Sequence, residues 1–266
     1  MLARDLAIAL DPSLLMEHAG LVPDTWQRDF LRSEAKRQLL LCSRQSGKST
    51  ACATLALHTA IYHAPALVLL LSPSLRQSQE LFRKVLDVYR LIDEIPTEQE
   101  SALRLELTNG SRIVSLPGKE ETIRGFSGAK LLVIDEASRV ADSLYYAVRP
   151  MLGVSGGRLV CLTTPFGKRG FFYREWTEGQ GWERVKIMAD QCPRISKAFL
   201  EEELRTLGEW WFKQEYGCEF VDTVNQVFIS DLIEQAVNPT LQPLFPDLLK
   251  TSAPRTPVMR IFGGSV

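Results

Sequence analysis

Long apolar runs are missing from this 266-residue chain: nothing approaches the roughly 18 consecutive apolar residues of a membrane span. The N-terminus carries Arg4 and Asp5 in its first turn and lacks the apolar core of a secretory leader. A soluble, unsecreted protein is expected. Charge imbalance is missing too, since 31 Lys and Arg stand against 32 Asp and Glu. That excludes the global field of a histone-like or membrane-surface protein and confines any nucleic-acid contact to local basic patches. Cys42, Cys52, Cys161, Cys192 and Cys218 form no CxxC pair and no zinc spacing, so reduced, mostly buried thiols and a cytosolic setting are expected. Internal repeats and low-complexity tracts are absent. What is present, 45% hydrophobic residues, suffices for one large core or a main domain with a small appendage.

The apolar pattern alternates between two periods. Leu6, Leu10, Leu14 and Leu15 fall at helical spacing before Gly20, and Asp24 or Thr25 can cap a helix through Trp26, Phe30 and Leu31, so two helices are expected first. Short apolar runs at 38–42, 66–71, 130–134 and 158–162 read as buried parallel strands, each ending in a polar cluster. Helical segments at 49–63, 74–89 and 142–152 separate them, which predicts an α/β fold with a mostly parallel sheet covered on both faces. Leu103, Leu105 and Leu107 alternate with polar residues before Asn109-Gly110 and a return at Ile113, so an antiparallel hairpin should extend one sheet edge. A further strand is expected at 182–188, then a helix at 196–207 closed by Gly208, and a second with Trp210, Trp211, Phe212 and Tyr216. Prolines recur through 238–257 like a linker, and 258–262 resembles the start of another strand.

The chemistry concentrates at strand ends. Cys42-Ser43-Arg44-Gln45-Ser46-Gly47-Lys48-Ser49-Thr50 lies between a strand and a helix, the setting in which GxxxxGK[ST] is a phosphate-binding loop, although Cys42 takes the place of the first glycine. Backbone N–H groups and a helix N-terminus favour a polyphosphate, Gly47 allows close approach, Lys48 can reach the β- and γ-phosphates, and the Ser49 hydroxyl can bind Mg²⁺. At the end of 130–134, Asp135 can hold Mg²⁺ through water, and Glu136 can orient or deprotonate an attacking water. Thr163-Thr164-Pro165 places two hydroxyls where a γ-phosphate sensor would sit, though Ser/Thr before proline is also ordinary turn chemistry. Gln27 has the amide that could pair with adenine's edge.

Taken together, Trp26-Gln27, the loop 43–49, Ile123-Arg124-Gly125, Val133-Ile134-Asp135-Glu136-Ala137, Thr163-Thr164-Pro165 and Glu215-Tyr216-Gly217-Cys218-Glu219-Phe220 resemble the phage large terminase family in order and spacing over about residues 20–225. The arginine inside the loop and the closing EYxxEF are more telling than phosphate-loop motifs shared by unrelated NTPases. The resemblance implies an additional-strand P-loop NTPase of RecA/terminase-like fold with a small helical lid, using ATP and Mg²⁺. It implies Gln27 at adenine, Arg44 responding to nucleotide state, Glu136 as catalytic base and Thr164 in a coupling motif. Arg139 is similar in position to an arginine that some members offer to a neighbour's nucleotide. The expected parts are a core at 1–190, a lid at 191–237, and a linker with the start of a truncated nuclease domain at 238–266, so no cleavage by this chain is expected. Implied partners are double-stranded DNA, the portal protein, a small terminase subunit and further copies of the chain in a ring, with no membrane. The implied location is the cytoplasm of an infected bacterial host, with transient docking on the procapsid. A superfamily 2 helicase and a nucleotide-controlled binding module with little turnover are the alternatives. Arg104, Arg112, Lys119 and Arg124, with Lys168 and Arg169, are candidate DNA contacts, although exposed basic residues are often simply solvated.

Overall fold

The computed structural model describes residues 2–92, 96–118, 123 and 125–222. Among them one sheet contains β1 Arg37–Cys42, β2 Leu67–Ser72, β3 Thr97–Glu100, β4 Arg104–Leu107, β5 Arg112–Pro117, β6 Leu131–Asp135, β7 Arg158–Thr163 and β8 Glu183–Ile187. The strand order is β3-β4-β5-β2-β6-β7-β1-β8. From β5 to β8 every pairing is parallel, and β3-β4-β5 is antiparallel, which makes the expected hairpin an extension of one edge.

The central strands read as unbroken apolar runs because both faces are buried. Successive side chains alternate between two cores. Leu40, Cys42, Val68, Leu70, Val133, Val160 and Leu162 face one, and Leu39, Leu41, Leu69, Leu71, Ile134, Leu159 and Cys161 face the other. The first core is covered by α1 Leu2–Leu10, α2 Ser13–His18, α3 Thr25–Arg32, α4 Lys48–Tyr62 and α5 Leu75–Ile92. The second lies under α6 Asp142–Val148 and α7 Gly170–Thr177, where the Tyr145 and Phe171 rings stack with centroids 4.0 Å apart. In α4, Ala51, Ala53, Ala56 and Ala60 are fully buried, the mark of a helix enclosed on several sides.

Several elements differ from the sequence reading. Three helices precede β1, because Pro12 has no N–H to give the carbonyl of Ile8, and Asp11 Oδ1 instead accepts from Ser13 N–H at 3.0 Å. The stranded Ile8 oxygen is taken by His58 Nε2 at 2.9 Å from α4. Burial lowers the His58 pKa to about 4, so the ring stays neutral and donates. The helix expected over 142–152 ends at Val148 and continues only as a tight turn around Pro150. β3 has no counterpart in the sequence reading because all four of its residues are exposed and polar, with no alternation to detect. α7 has none either, because its N-terminus is capped from afar, Asp142 Oδ1 accepting from Phe171 N–H at 2.6 Å. α8 Lys197–Glu215 holds both helices expected there: Ser196 Oγ caps the first by accepting from Phe199 N–H at 3.2 Å, and Gly208 (φ 77°, ψ 167°) breaks the run. Residues 223–237 of the expected lid, the linker at 238–257 and the strand at 258–262 lie outside the described residues.

β7 begins where two turns meet, and Gly157 sits against backbone there. A Cβ at Gly157 would collide with the carbonyl oxygens of Ala129 and, at 2.9 Å, Lys130. Gly157→Ala is expected to cost about 1–3 kcal/mol of stability through this overlap. A urea midpoint unchanged from the parent protein, at equal m-value, would show that the turn yields without cost.

Candidate active site

β1 ends at Cys42, whose backbone is still extended and whose side chain is fully buried, so this position has no need of the glycine that the motif usually carries. The loop then makes two left-handed steps, Gln45 at φ 58° and Gly47 at φ 88°. The left-handed step favours glycine at position 47, and a Cβ there would also lie 2.7 Å from Gln27 Nε2 and 2.9 Å from Arg194 Nη2, so both side chains would have to shift. The approach to the loop is fastened from distant segments: Ser43 N–H donates to Ile187 O at 2.8 Å and Arg44 N–H to Glu215 O at 3.0 Å. Ser46 Oγ donates to Ser43 O at 3.0 Å, closing the loop on itself. Ser49 and Thr50, in the first turn of α4, remain partly exposed.

Gln27 is 1% exposed and both ends of its amide are engaged: Oε1 accepts from Asp24 N–H at 2.9 Å and Nε2 donates to Gly47 O at 3.2 Å. As placed, it ties α3 to the loop and keeps a second amide N–H and a second carbonyl lone pair. Arg44 points outward, its Nε 3.0 Å from Glu215 Oε2, so the loop arginine and the EYxxEF segment meet through both backbone and side chain. Arg194, which the sequence reading does not single out, donates through Nη2 to Ser46 O at 2.9 Å and pairs with Asp24 at 2.8 Å. No motif surrounds Arg194, and only the fold brings it to the loop.

β7 lies between β1 and β6, so the loop and the acidic pair stand on strands one removed from each other. Lys48 closes that gap, with Nζ 3.2 Å from Glu136 Oε1 and a side chain only 12% exposed. Burial pushes the Lys48 pKa down, but Glu136 and Asp135 outweigh it and raise the pKa above its ordinary value, which keeps the ammonium charged. Glu136 adopts a left-handed conformation (φ 49°, ψ 43°), a costly choice for a residue with a side chain and one met at functional sites. Its other oxygen accepts from Arg139 Nη1 at 3.0 Å. Arg139 lies in the tight turn Ala137–Arg139; it also donates to Thr164 Oγ1 at 3.2 Å and stacks over Phe166 at 4.5 Å. Thr163 Oγ1 accepts from Ser138 N–H at 3.3 Å and donates to Thr164 O at 2.7 Å, joining the end of β7 to the turn after β6. Lys48, Asp135, Glu136, Arg139, Thr163 and Thr164 therefore form one connected cluster.

Asp135 is buried, and burial raises its pKa to about 6 against the opposing pull of Lys48. Oδ1 accepts from Glu136 N–H at 2.9 Å, while Oδ2 makes no hydrogen bond among the described residues. Among the described residues no three His, Cys, Asp or Glu side chains group to hold a metal. A carboxylate oxygen left without a partner among the described residues suits Mg²⁺, which takes few protein ligands and completes its shell with water and phosphate.

The DNA candidates are scattered. Arg104 on β4 pairs with Glu106, and Arg112 is exposed at the start of β5, separated from β1 by β2, β6 and β7. Lys168 lies 3.6 Å from Asp222, Arg169 stacks over Phe166 at 5.3 Å, and Lys119 and Arg124 lie outside the described residues. All five cysteines are buried and unpaired, as expected for reduced thiols. No described helix is long and apolar enough to cross a membrane.

The family model for the terminase large subunit, T4likevirus-type, N-terminal, matches residues 39–235. The terminase large subunit of Thermus phage G20c is 29% identical over 250 residues, covering 80% of this chain and 51% of that protein. The chain thus spans about half the length of the curated relatives it matches. The solved ATPase domain of the Thermus phage P74-26 large terminase superimposes with a TM-score of 0.68 at 24% identity, covering 77% of this chain and 97% of that one. The large terminase of another thermophilic bacteriophage, solved in complex with ADP, gives a TM-score of 0.58 at 14% identity over 78% of this chain and 53% of that one. These likenesses establish the fold as that of a P-loop terminase ATPase domain.

The raised pKa of Asp135 makes a stability prediction. A carboxyl whose folded pKa lies above its unfolded value favours the native state below the unfolded pKa, here 3.8, and loses that contribution as pH rises through about 6. At pH 8 the native state carries the full cost of an ionised buried carboxylate. Asp135→Asn should therefore gain about 1–3 kcal/mol more stability at pH 8 than at pH 4. An equal or smaller gain at pH 8, in denaturant titrations at the two pH values, would contradict the burial argument.

Proposed function

We propose a function from this premise: the chain belongs to the terminase large subunit family, T4likevirus type, over its N-terminal part. It binds ATP at the loop of residues 43–50 and hydrolyses it to drive double-stranded DNA into a procapsid. The observation that carries the reading is the 3.2 Å approach of Lys48 Nζ to Glu136 Oε1, which brings the loop cation and the acidic pair into one buried cluster. Lys48 neutralises charge developing on the transferred phosphoryl group, and the backbone N–H groups at the start of α4 hold the phosphates. Glu136 accepts a proton from the attacking water. Ser49 and Asp135 would hold Mg²⁺, which supplies charge neutralisation across the β- and γ-phosphates when bound.

Lys48 and Arg139 each occupy one oxygen of Glu136, so both neighbours compete with water for the base. A terminal phosphate competes for Lys48 and frees one oxygen. Thr164, bonded to Arg139, and Arg44, paired with Glu215, connect that change to the end of β7 and to α8. An adenine contact by Gln27 would use the amide N–H and carbonyl lone pair that its bonds to Asp24 and Gly47 leave over. The portal protein, a small terminase subunit and a ring of identical chains are the proposed partners, in the cytoplasm of an infected bacterium and transiently on the procapsid. The lid assignment of residues 191–237 belongs to this reading as well, as do the weak DNA contacts at Arg104, Arg112, Lys119 and Arg124.

Lys48→Ala is expected to lower ATP turnover by about 10²-fold or more, because a preorganised cation at the transferred phosphate is lost. Glu136→Gln keeps the geometry and removes the base, so it should bind ATP with Mg²⁺ yet hydrolyse it about 10²- to 10⁴-fold more slowly. Phosphate-release assays paired with nucleotide-binding titrations check both, and normal turnover in the lysine variant would remove the site assignment.

Arg139 now rests on its own Glu136, and we propose that it leaves this contact to reach the phosphate held by a neighbouring subunit. An arginine supplied in this way is worth about 10³ to 10⁵ in rate. The isolated chain should be a poor ATPase when dilute, with activity per molecule climbing as concentration rises. Mixing Lys48→Ala with Arg139→Ala protein should restore part of the turnover that each lacks alone. No recovery under conditions where the two variants co-assemble would assign the arginine to its own site.

A further inference from the structure

The parallel sheet has a second end, away from the phosphate loop. Lys36 and Lys130 directly precede β1 and β6, and Arg158 opens β7. In the order β6-β7-β1 these are neighbours, locked side by side by Arg158 N–H donating to Lys130 O at 2.9 Å and Leu159 N–H donating to Lys36 O at 2.8 Å. Adjacent strands lie about 4.8 Å apart, so the three cations lie at one end of the sheet, although the register sets Arg158 opposite Leu131 and so turns the Lys130 side chain toward the other face. They border a cavity of about 560 Å³ that is also lined by the apolar side chains of Leu10, Leu31 and Leu55 and by His58 and His63 near the end of α4.

The charges around this cavity do not cancel. Arg32 is neutralised by Asp11 at 2.6 Å, but Lys36 and Lys130 make no ion pair among the described residues, and Glu34 is the one carboxylate in the described lining. Arg158 is the most constrained of the cations. Its Nε and Nη2 donate to the neutral oxygens of Gln38 and Phe30, both at 3.1 Å, and its Nη1 makes no hydrogen bond among the described residues. Glu183, the carboxylate that acts on its charge, meets it through the Gln38 amide, which donates to Glu183 Oε2 at 2.7 Å. Burial lowers the Arg158 pKa to about 10, which still leaves it charged at neutral pH. The guanidinium also bonds Gln38 through Nη2 and lies 5.5 Å over the Phe30 ring, so its charge is partly compensated from within, and the cavity is where a direct counter-ion can enter.

We propose that this cavity binds a small phosphate-bearing molecule with an apolar or aromatic body, its phosphate on Arg158 Nη1 at the end of the sheet that Lys36 and Lys130 also line, and its body against Leu10, Leu31 and Leu55. The volume falls inside the range of small-molecule sites, about 300–1,000 Å³. A DNA duplex, which presents its charges along an open rod, does not fit a concave pocket of this size. The site is independent of the phosphate loop, which lies at the other end of the strands.

The chain carries its own reporters. It has three histidines, and two of them, His58 and His63, line the cavity while His18 does not. In the full chain with ¹³C-labelled histidine, titration with adenosine monophosphate should shift the ring signals of His58 and His63 saturably and leave His18 in place. Adenosine, lacking the phosphate, should produce no saturable shift, and inorganic phosphate should bind more weakly than the monophosphate. Lys36→Ala with Lys130→Ala, two exposed positions, should weaken binding about tenfold or more while leaving the fold intact. The same shifts are expected in Lys48→Ala protein. The proposal is overturned if His58 and His63 fail to respond at about 10 mM monophosphate, if adenosine binds as well, if the double lysine variant binds unchanged, if Lys48→Ala abolishes the shifts, or if a DNA duplex produces them at lower concentration.

Discussion

The placement of β7 between β1 and β6 is the constraint from which the rest of the site follows. It sets the strand carrying the phosphate loop roughly 10 Å from the strand carrying Asp135 and Glu136. Direct contact between strand ends is then impossible, and side chains must cross the gap. Lys48 does so from one side, and Glu136 meets it from the other through a left-handed backbone. The intervening strand is not a passive spacer, because Thr163 and Thr164 at its tip hydrogen-bond to Ser138 and Arg139. Remove β7 from this position and neither the cation–carboxylate contact nor its link to the following loop has a geometric basis.

Holding these groups together in a water-poor cluster has opposing electrostatic effects. Asp135 is destabilised as an anion by burial, while Lys48 is kept charged by the carboxylates around it. The core beneath is built to tolerate this, since the strands are apolar on both faces and only their C-terminal tips turn polar. That separation of a dry scaffold from a charged rim is what allows strained and charged residues to persist at the proposed ATPase site.

Much of this is legible in the sequence, and for identifiable reasons. Runs such as Leu39–Leu41 and Leu131–Ile134 stand out because a strand buried on both faces needs no polar alternation. Lys48 and Glu136 stand out because the phosphate loop and the acidic pair are local patterns, each set by a strand end. The features that stay hidden share a different property. β3 has an edge position and no apolar residue, α7 is capped by Asp142 some 29 residues earlier, and Arg194 reaches Ser46 across 148 residues of sequence. Gln27 is visible in the sequence, but its bonds to Asp24 and Gly47 are not. Local chemistry can be read directly, whereas long-range partners cannot, because no periodicity or motif encodes them.

The fastening of the phosphate loop to Ile187, Arg194 and Glu215 bears on how the chain is made. Synthesis releases residues 43–49 early, and domains form from the N-terminal side as the chain emerges. Yet the carbonyl that receives Arg44 N–H arrives only with residue 215, after almost all of the described sheet and helices. Contacts of such long sequence separation form late, because loop closure must precede them. The loop is therefore early to leave the ribosome and among the last of the described parts to take its final shape. A nascent or broken chain that stops short of the end of α8 lacks the Glu215 contacts that hold Arg44, so the shape of the proposed phosphate cradle depends on chain made long after the loop itself.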